Sequence, residues 1–257
     1  MLAAHPASPV QLAHACRALG YDMAFPSSWG DELVAAGCLE QLREWGSEPA
    51  IVCACPRVTE RLTRAGTELA PWMIALVAPP VAAARYLRAV YGERPVHITY
   101  VGSCPAAHDP AIDARLAPDE LLDAFAERGI ALADQPHYFD SMLPPDRRRF
   151  TSLPGGAPSP ERVAAVDAAR TLVELEGDDY LVQLAQHLVA RERVVIDLAP
   201  QLGCACSGAT AAREVHDARA ALIALEPPRA QSAVLDPAIV VDVLAPRPEE
   251  TAAPAPL

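Results

Sequence analysis

The chain has 257 residues, 51% of them hydrophobic, and a formal net charge of -12, which is ample apolar material for one sizeable core or two smaller lobes. Its acidic balance leaves no basic stripe to neutralise phosphates and argues against a nucleic-acid partner. No stretch reaches the ~20 uninterrupted apolar residues of a membrane span, and the first twenty residues lack the early positive charge of a signal peptide, so a cytoplasmic protein with no membrane partner is expected.

Apolar runs alternate with helical periodicity through the first half, the pattern of βα units around a mainly parallel sheet. Residues 1–4 read as a short strand and Pro9–Leu19 as a helix with Val10, Leu12, Ala13, Cys16 and Leu19 facing inward. A strand at Met23–Phe25 precedes a helix capped by Ser27 or Ser28, whose stripe of Leu33, Val34, Leu39 and Leu42 runs to Trp45. Ala50–Val52 is then a strand leading into Cys53-Ala54-Cys55-Pro56.

The alternation continues with a helix at Val58–Ala65, a strand at Met73–Val77, a helix at Val81–Val90 and a strand at Val96–Val101 that leads to Cys104. Four or so parallel strands are implied. Asp119–Arg128 reads as a helix, and the Pro-, Gly- and charge-rich text of 133–158 as a long connection between lobes. Pro160–Glu174 and Tyr180–Ala190 read as helices, Val194–Leu198 as a strand and Ala211–Leu225 as a closing helix. Beyond Pro227 the chain is expected to be a loosely held Pro/Ala-rich tail with one apolar run at Ile239–Leu244.

The chemistry-bearing residues are cysteines. Cys55, Cys104, Cys204 and Cys206 each sit in a short loop after an apolar, strand-like run. Thiolates gathered at the ends of parallel strands suit iron–sulfur or zinc, because soft sulfur prefers those metals and strand-end loops converge on one crevice. Cys55 precedes Pro56 and a helix, whose first backbone amides favour a thiolate there, and Cys104-Pro105 repeats the Cys-Pro pairing. The Gly203-Cys204-Ala205-Cys206-Ser207-Gly208 loop offers two sulfurs with glycines on either side. Read singly, the Cys53-Ala54-Cys55 loop is equally a pair of small buried thiols; Cys16 and Cys38, on helix faces, are expected to be core residues.

Other candidates are weaker. The seven histidines show no zinc spacing; His108-Asp109, just after Cys104, is the best placed to bond a cluster sulfur or relay a proton, and a solvated loop pair is the simpler reading. Arg147-Arg148-Arg149 reads as a solvated charge run, and Gly155-Gly156 lacks a nucleotide-loop context.

The run AIVCACPRVTERLTRAGTELAPWMIALVAPPVAAARYLRAVYGERPVHITYVGSCPAAHDPAID, followed by DELLDAFAERGI, RRRFTSLPGG and LAPQLGC, resembles the catalytic domain of iron-only hydrogenases and their non-hydrogenase relatives over roughly residues 1–225. The resemblance implies a two-lobed α/β fold with mainly parallel sheets flanked by helices. Its domain would span 1–226, with lobes at about 1–132 and 159–226, followed by the tail at 227–257.

The resemblance also implies that Cys55, Cys104 and Cys204 bind a [4Fe-4S] cluster. Pro200 stands where the family has a further cysteine, so Cys206 is expected to supply the fourth sulfur, with Cys53 in reserve. The thiol that precedes the first ligand is replaced by Ala54, the family's lysine by Ala107 and its following glutamate by Pro110. All 21 basic residues are arginine, and none stands at the lysine position, whose cation would hold the cyanide ligands of a di-iron subcluster.

These departures imply a degenerate member without hydrogenase activity, serving electron transfer, redox sensing or cluster handling. Similarity to the nuclear prelamin A recognition factor-like relatives, which serve iron–sulfur assembly, keeps the last of these open. No ferredoxin-like cysteine motif precedes the domain, so a separate ferredoxin-like or other redox or signalling protein is the expected partner. A metal-free regulatory or scaffold domain that keeps only the fold is the alternative.

Overall fold

The structure, a computed structural model, describes residues 9–25, 28–136, 152–153, 155–175, 178–198 and 240–247. Its helices are α1 (Pro9–Leu19), α2 (Ser28–Glu44), α3 (Pro56–Ala65), α4 (Pro79–Tyr91), α5 (Pro118–Glu127), α6 (Pro160–Val166) and α7 (Tyr180–Ala190). Its strands are β1 (Ala50–Cys53), β2 (Met73–Ala75), β3 (Thr99–Val101), β4 (Ala114–Leu116), β5 (Thr171–Glu174) and β6 (Val194–Asp197). The expected α/β class with parallel sheets flanked by helices is the observed one.

Four strands form one parallel sheet in the order β2-β1-β6-β5. Strands from before and after the 133–158 connection therefore share a sheet, with β1 and β6 side by side at its centre. Every residue of those two strands is buried, as expected of strands covered on both faces, where the apolar run is continuous. The two-residue strand period sends Ile51 and Cys53 to the face covered by α3 and α7, with Val58, Leu62 and Leu184. Ala50 and Val52 go to the opposite face, against Val34, Cys38 and Leu42 of α2 and Val163 of α6.

A second parallel pair, β3 and β4, stands apart from this sheet. Helix α4 links the two cores. Ala82 packs with the first sheet, whereas Val81 and Ala84 pack with Ile98, Tyr100, Ala107 and Ile112 beside the second. The strand expected over Val96–Val101 pairs only from Thr99, and its partner at Ala114–Leu116 was not expected, being only three residues with no alternation to mark it.

Three other expectations need correction. Met23–Phe25 forms no strand; Phe25 instead sets its ring edge-on to Trp29, centroids 5.1 Å apart. The helix expected over Pro160–Glu174 stops at Val166, because Asp167 Oδ1 accepts the Ala169 N–H at 3.1 Å and turns the chain. Thr171–Glu174 then pairs with β6, where a β-branched and aliphatic segment is favoured by its neighbours.

The tail is the third. Val77 N–H donates to Val243 O at 2.8 Å, Ala245 N–H donates to Ala75 O at 3.1 Å, and Val243 is buried against α2 and β2. Residues 240–247 are thus docked on the sheet edge rather than loose. Among the described residues no helix is long and apolar enough to cross a membrane. The helix expected at Ala211–Leu225 and the segment at Arg147–Arg149 lie outside the described residues.

Candidate metal centre

Cys55 and Cys104 occupy equivalent places in two strand-to-helix turns. Cys55 is the residue before α3, and Cys104 precedes a 3-10 turn at Pro105–His108; both have extended backbone and both are followed by proline. Sequence explains both turns. A residue before proline is pushed out of the helical region, and proline itself suits the first helical position because its missing N–H would have had no partner there. Each thiol is therefore held at the amide-rich end of a turn. Both are buried, at 4% and 5% exposure.

The two thiols lie close enough for the charge of one to act on the other. Burial pushes the Cys104 thiol above its ordinary value; the Ala106 N–H directed at its sulfur opposes that, Cys55 adds to it and the Arg57 guanidinium opposes it. Free of metal, Cys104 is thus a neutral thiol at neutral pH. Arg57 brings its cation from the first turn of α3. It is a functional candidate that sequence reasoning missed, since only the fold carries that turn to Cys104. Burial raises the Tyr100 phenol above its ordinary value, and the charge of Cys104 adds to that.

The glycine pair borders the same region. Gly155 N–H donates to Asp31 Oδ1 at 3.1 Å, and Ser152 Oγ donates to Glu32 Oε1 at 2.8 Å, so Ser152 and Gly155 dock on the start of α2. Asp31 is in turn near enough to act on Tyr100.

Cys53, the expected reserve, lies within β1 in the core. Burial pushes its thiol far above the ordinary range, and Asp197, Cys38 and Cys55 push it further. Cys38 is a core thiol, as expected, pushed up to about 12 chiefly by burial and then by Asp197; Cys16, half-buried, is pushed up to about 11 by burial. Cys204 and Cys206 lie outside the described residues. Among the described residues no group of three or more cysteine, histidine or carboxylate side chains is gathered as a metal site.

The positions at which the resemblance predicted departures are now physical. Ala54 is a buried methyl among Val34, Val52 and Ile74, and Ala107 is another among Val81, Ala84 and Ile112. Neither carries a proton or a cation to the cysteines. His108 faces solvent and meets Arg115 Nη1 through Nε2 at 2.6 Å, while Asp109 pairs with Arg85 at 3.6 Å, so both are occupied away from the thiols.

Two buried soft donors at strand-end turns, one of them facing an N–H and a cation, fit an iron–sulfur group and suit a hard oxygen-seeking cation poorly. This fit covers Cys55 and Cys104, the two expected ligands among the described residues.

Comparison with known proteins follows the same line. The sequence model for the C-terminal domain of the iron only hydrogenase large subunit matches residues 2–159. An apo [FeFe]-hydrogenase HydA1 from Chlamydomonas reinhardtii superposes with a TM-score of 0.56 at 18% identity, over 79% of this chain and 73% of that one. The structure HydA(deltaEFG), which describes stepwise [FeFe]-hydrogenase H-cluster assembly, gives 0.55 at 17% identity over the same shares, 79% and 73%. At such identities the likeness establishes the fold. No curated protein matches the chain.

Proposed function

The chain belongs to the family of C-terminal, catalytic domains of iron only hydrogenases, and on that premise we propose that it holds one [4Fe-4S] cluster on Cys55, Cys104, Cys204 and Cys206 and serves electron transfer, redox sensing or cluster handling without hydrogenase activity. The observation that carries this reading is the pairing of Cys55 and Cys104, two buried thiols in matching proline-started turns, near enough that the charge of Cys55 acts on Cys104. A cubane bound there would supply one-electron chemistry.

The chain's own residues account for the rest. Cys55 and Cys104 offer sulfur from the turns after β1 and β3, and would hold a metal group between them. The Ala106 N–H and the Arg57 guanidinium stabilise negative charge on Cys104, and burial keeps water away from both sulfurs. Hydrogen chemistry needs a proton carrier and a cation beside the cluster, and Ala54 and Ala107 supply neither. The partner is a separate ferredoxin-like or other redox or signalling protein in the cytoplasm; nucleic acid is disfavoured by the net charge of -12.

The packing of Ala54 and Ala107 into aliphatic cores also favours a second reading, a metal-free scaffold that has kept the fold. Purification without oxygen separates the two. The cluster reading expects brown protein with about four irons and four sulfides per chain; colourless protein that takes up neither iron nor sulfide on anaerobic reconstitution would leave the scaffold.

A further inference from the structure

Residues 240–245 lie along the free edge of β2. Val77 N–H donates to Val243 O at 2.8 Å and Ala245 N–H to Ala75 O at 3.1 Å, so the segment covers that edge as a short antiparallel strand. Its side chains alternate accordingly: Val241 and Val243 turn inward, whereas Val240 and Leu244 are exposed. Val243 enters a notch in α2, where a Cβ on Gly37 would stand 2.2 Å from Val243 Cγ2. Val241 packs against Trp29, Tyr86 and Leu87.

One side chain joins this strand to the loop after Cys104. Arg85, half-buried on α4, donates from Nη1 to Asp242 O at 2.8 Å, and its Nη2 lies 3.6 Å from Asp109 Oδ2. Asp109 closes the turn that Cys104 opens. Its N–H donates to Ala106 O at 3.0 Å, its Oδ1 accepts the Ala111 N–H at 2.8 Å, and within the turn Ala107 N–H donates to Cys104 O at 3.1 Å. Arg88, three residues on and on the same face of α4, donates to Ala111 O at 2.9 Å and to Asp113 Oδ2 at 2.8 Å. Of the two arginines, Arg85 also reaches the edge strand.

We propose that Arg85 is a positioning residue for the Cys104 turn, and that through it the docked 240–245 strand is part of what holds that turn. A guanidinium presents its N–H donors in a fixed planar fork, so one side chain serves a carbonyl on the strand and a carboxylate in the loop together. Docking of the strand fixes the guanidinium's orientation and turns its second amino group to Asp109. The consequence for iron rests on the cluster reading, since the turn carries a proposed ligand; the hold on the turn needs no metal.

Arg85→Gln in the full chain removes the cation and the fork. In metal-free protein, residue-resolved alkylation by iodoacetamide should quicken at Cys104 about threefold relative to Cys16, the size expected for a partly exposed ion pair that restrains local opening. Cys16 packs in a separate cluster with Leu121 and Phe125, so general destabilisation quickens both thiols and leaves their ratio unchanged. Val243→Asp undocks the strand without touching Arg85 and should give the same rise, with no further rise in the double variant, because both changes break one connection. In iron-loaded protein each single variant should release iron to a chelator faster than wild type.

An unchanged ratio in Arg85→Gln overturns the proposal, and fully additive rises in the double variant overturn the link to the strand. Should Val243→Asp fail to fold by circular dichroism, Val243→Ala, which empties the notch, is read in the same way. A wild-type chain that takes up no iron defeats the cluster reading, and the alkylation ratio then decides by itself whether Arg85 holds the turn.

Discussion

Val52 and Asp197 are register partners across the parallel pair of β1 and β6. The segments that leave these two strands, one toward Cys55 and the other toward Cys204, therefore start side by side at the same end of the sheet. Cys204 is seven residues beyond Asp197, a reach of up to ~25 Å at full extension. Asp197 is itself 1% exposed and acts on both Cys53 and Cys38.

Replacing either Cys55 or Cys104 with serine should remove the iron. Groups that only support a metal ligand cost about 10–100-fold in affinity when lost, so loss of a ligand sulfur should cut retained iron by at least about tenfold. Cys38→Ser, in the core and outside the proposed set, should leave iron content unchanged. Iron and sulfide analysis on anaerobically reconstituted protein reads the difference; full iron in both Cys55→Ser and Cys104→Ser would defeat the ligand assignment.

Arg170→Met should destabilise the fold by about 3 kcal/mol. The guanidinium is 1% exposed and donates to the carbonyl oxygens of Gly46 at 2.6 Å, Glu48 at 2.9 Å and Val194 at 3.2 Å. Methionine matches much of its stem but leaves those acceptors without their donor. Urea unfolding followed by far-UV circular dichroism measures the loss; a change under about 1 kcal/mol would show that water replaces the guanidinium freely.

Asp167 makes stability depend on pH. The hydrogen bond from Arg193 Nε, at 2.5 Å, holds its carboxyl below the ordinary carboxylate range, with help from the Ala169 N–H. A group whose folded pKa is depressed stabilises fully above its unfolded pKa and loses that contribution as pH falls through the folded one. Wild type should therefore be more stable than Asp167→Asn at pH 7, and the gap should close below about pH 4. Thermal unfolding of both proteins between neutral and acid pH tests the sign.

Gly30→Ala should cost about 2 kcal/mol. A Cβ at this position would lie 1.8 Å from Pro79 O and 2.4 Å from Pro79 C, backbone atoms that cannot swing aside. Helices α2 and α4 would have to separate at their starts. A thermal midpoint within about 1 °C of wild type would mean that the helices part at no cost.

Sequence alone determined the α/β class, the parallel strands, the Cys-Pro turns and the family, because these are written in local order. Strand periodicity, proline after an extended residue and the spacing of motifs all act over a few neighbours. The core placement of Cys38 was likewise legible from its helix face.

Only the tertiary structure decided the pairing of β1 with β6, the break of α6 before β5, the docking of Val243 and the meeting of Arg57 with Cys104. Each depends on groups distant in the chain. Thr171–Glu174 becomes a strand because β6 stands beside it, and Arg170 is tolerated in the core because carbonyls from residues 46, 48 and 194 surround it. Local propensity carries no record of which distant partner will arrive, whereas burial and hydrogen bonding reward that partner once the chain has closed.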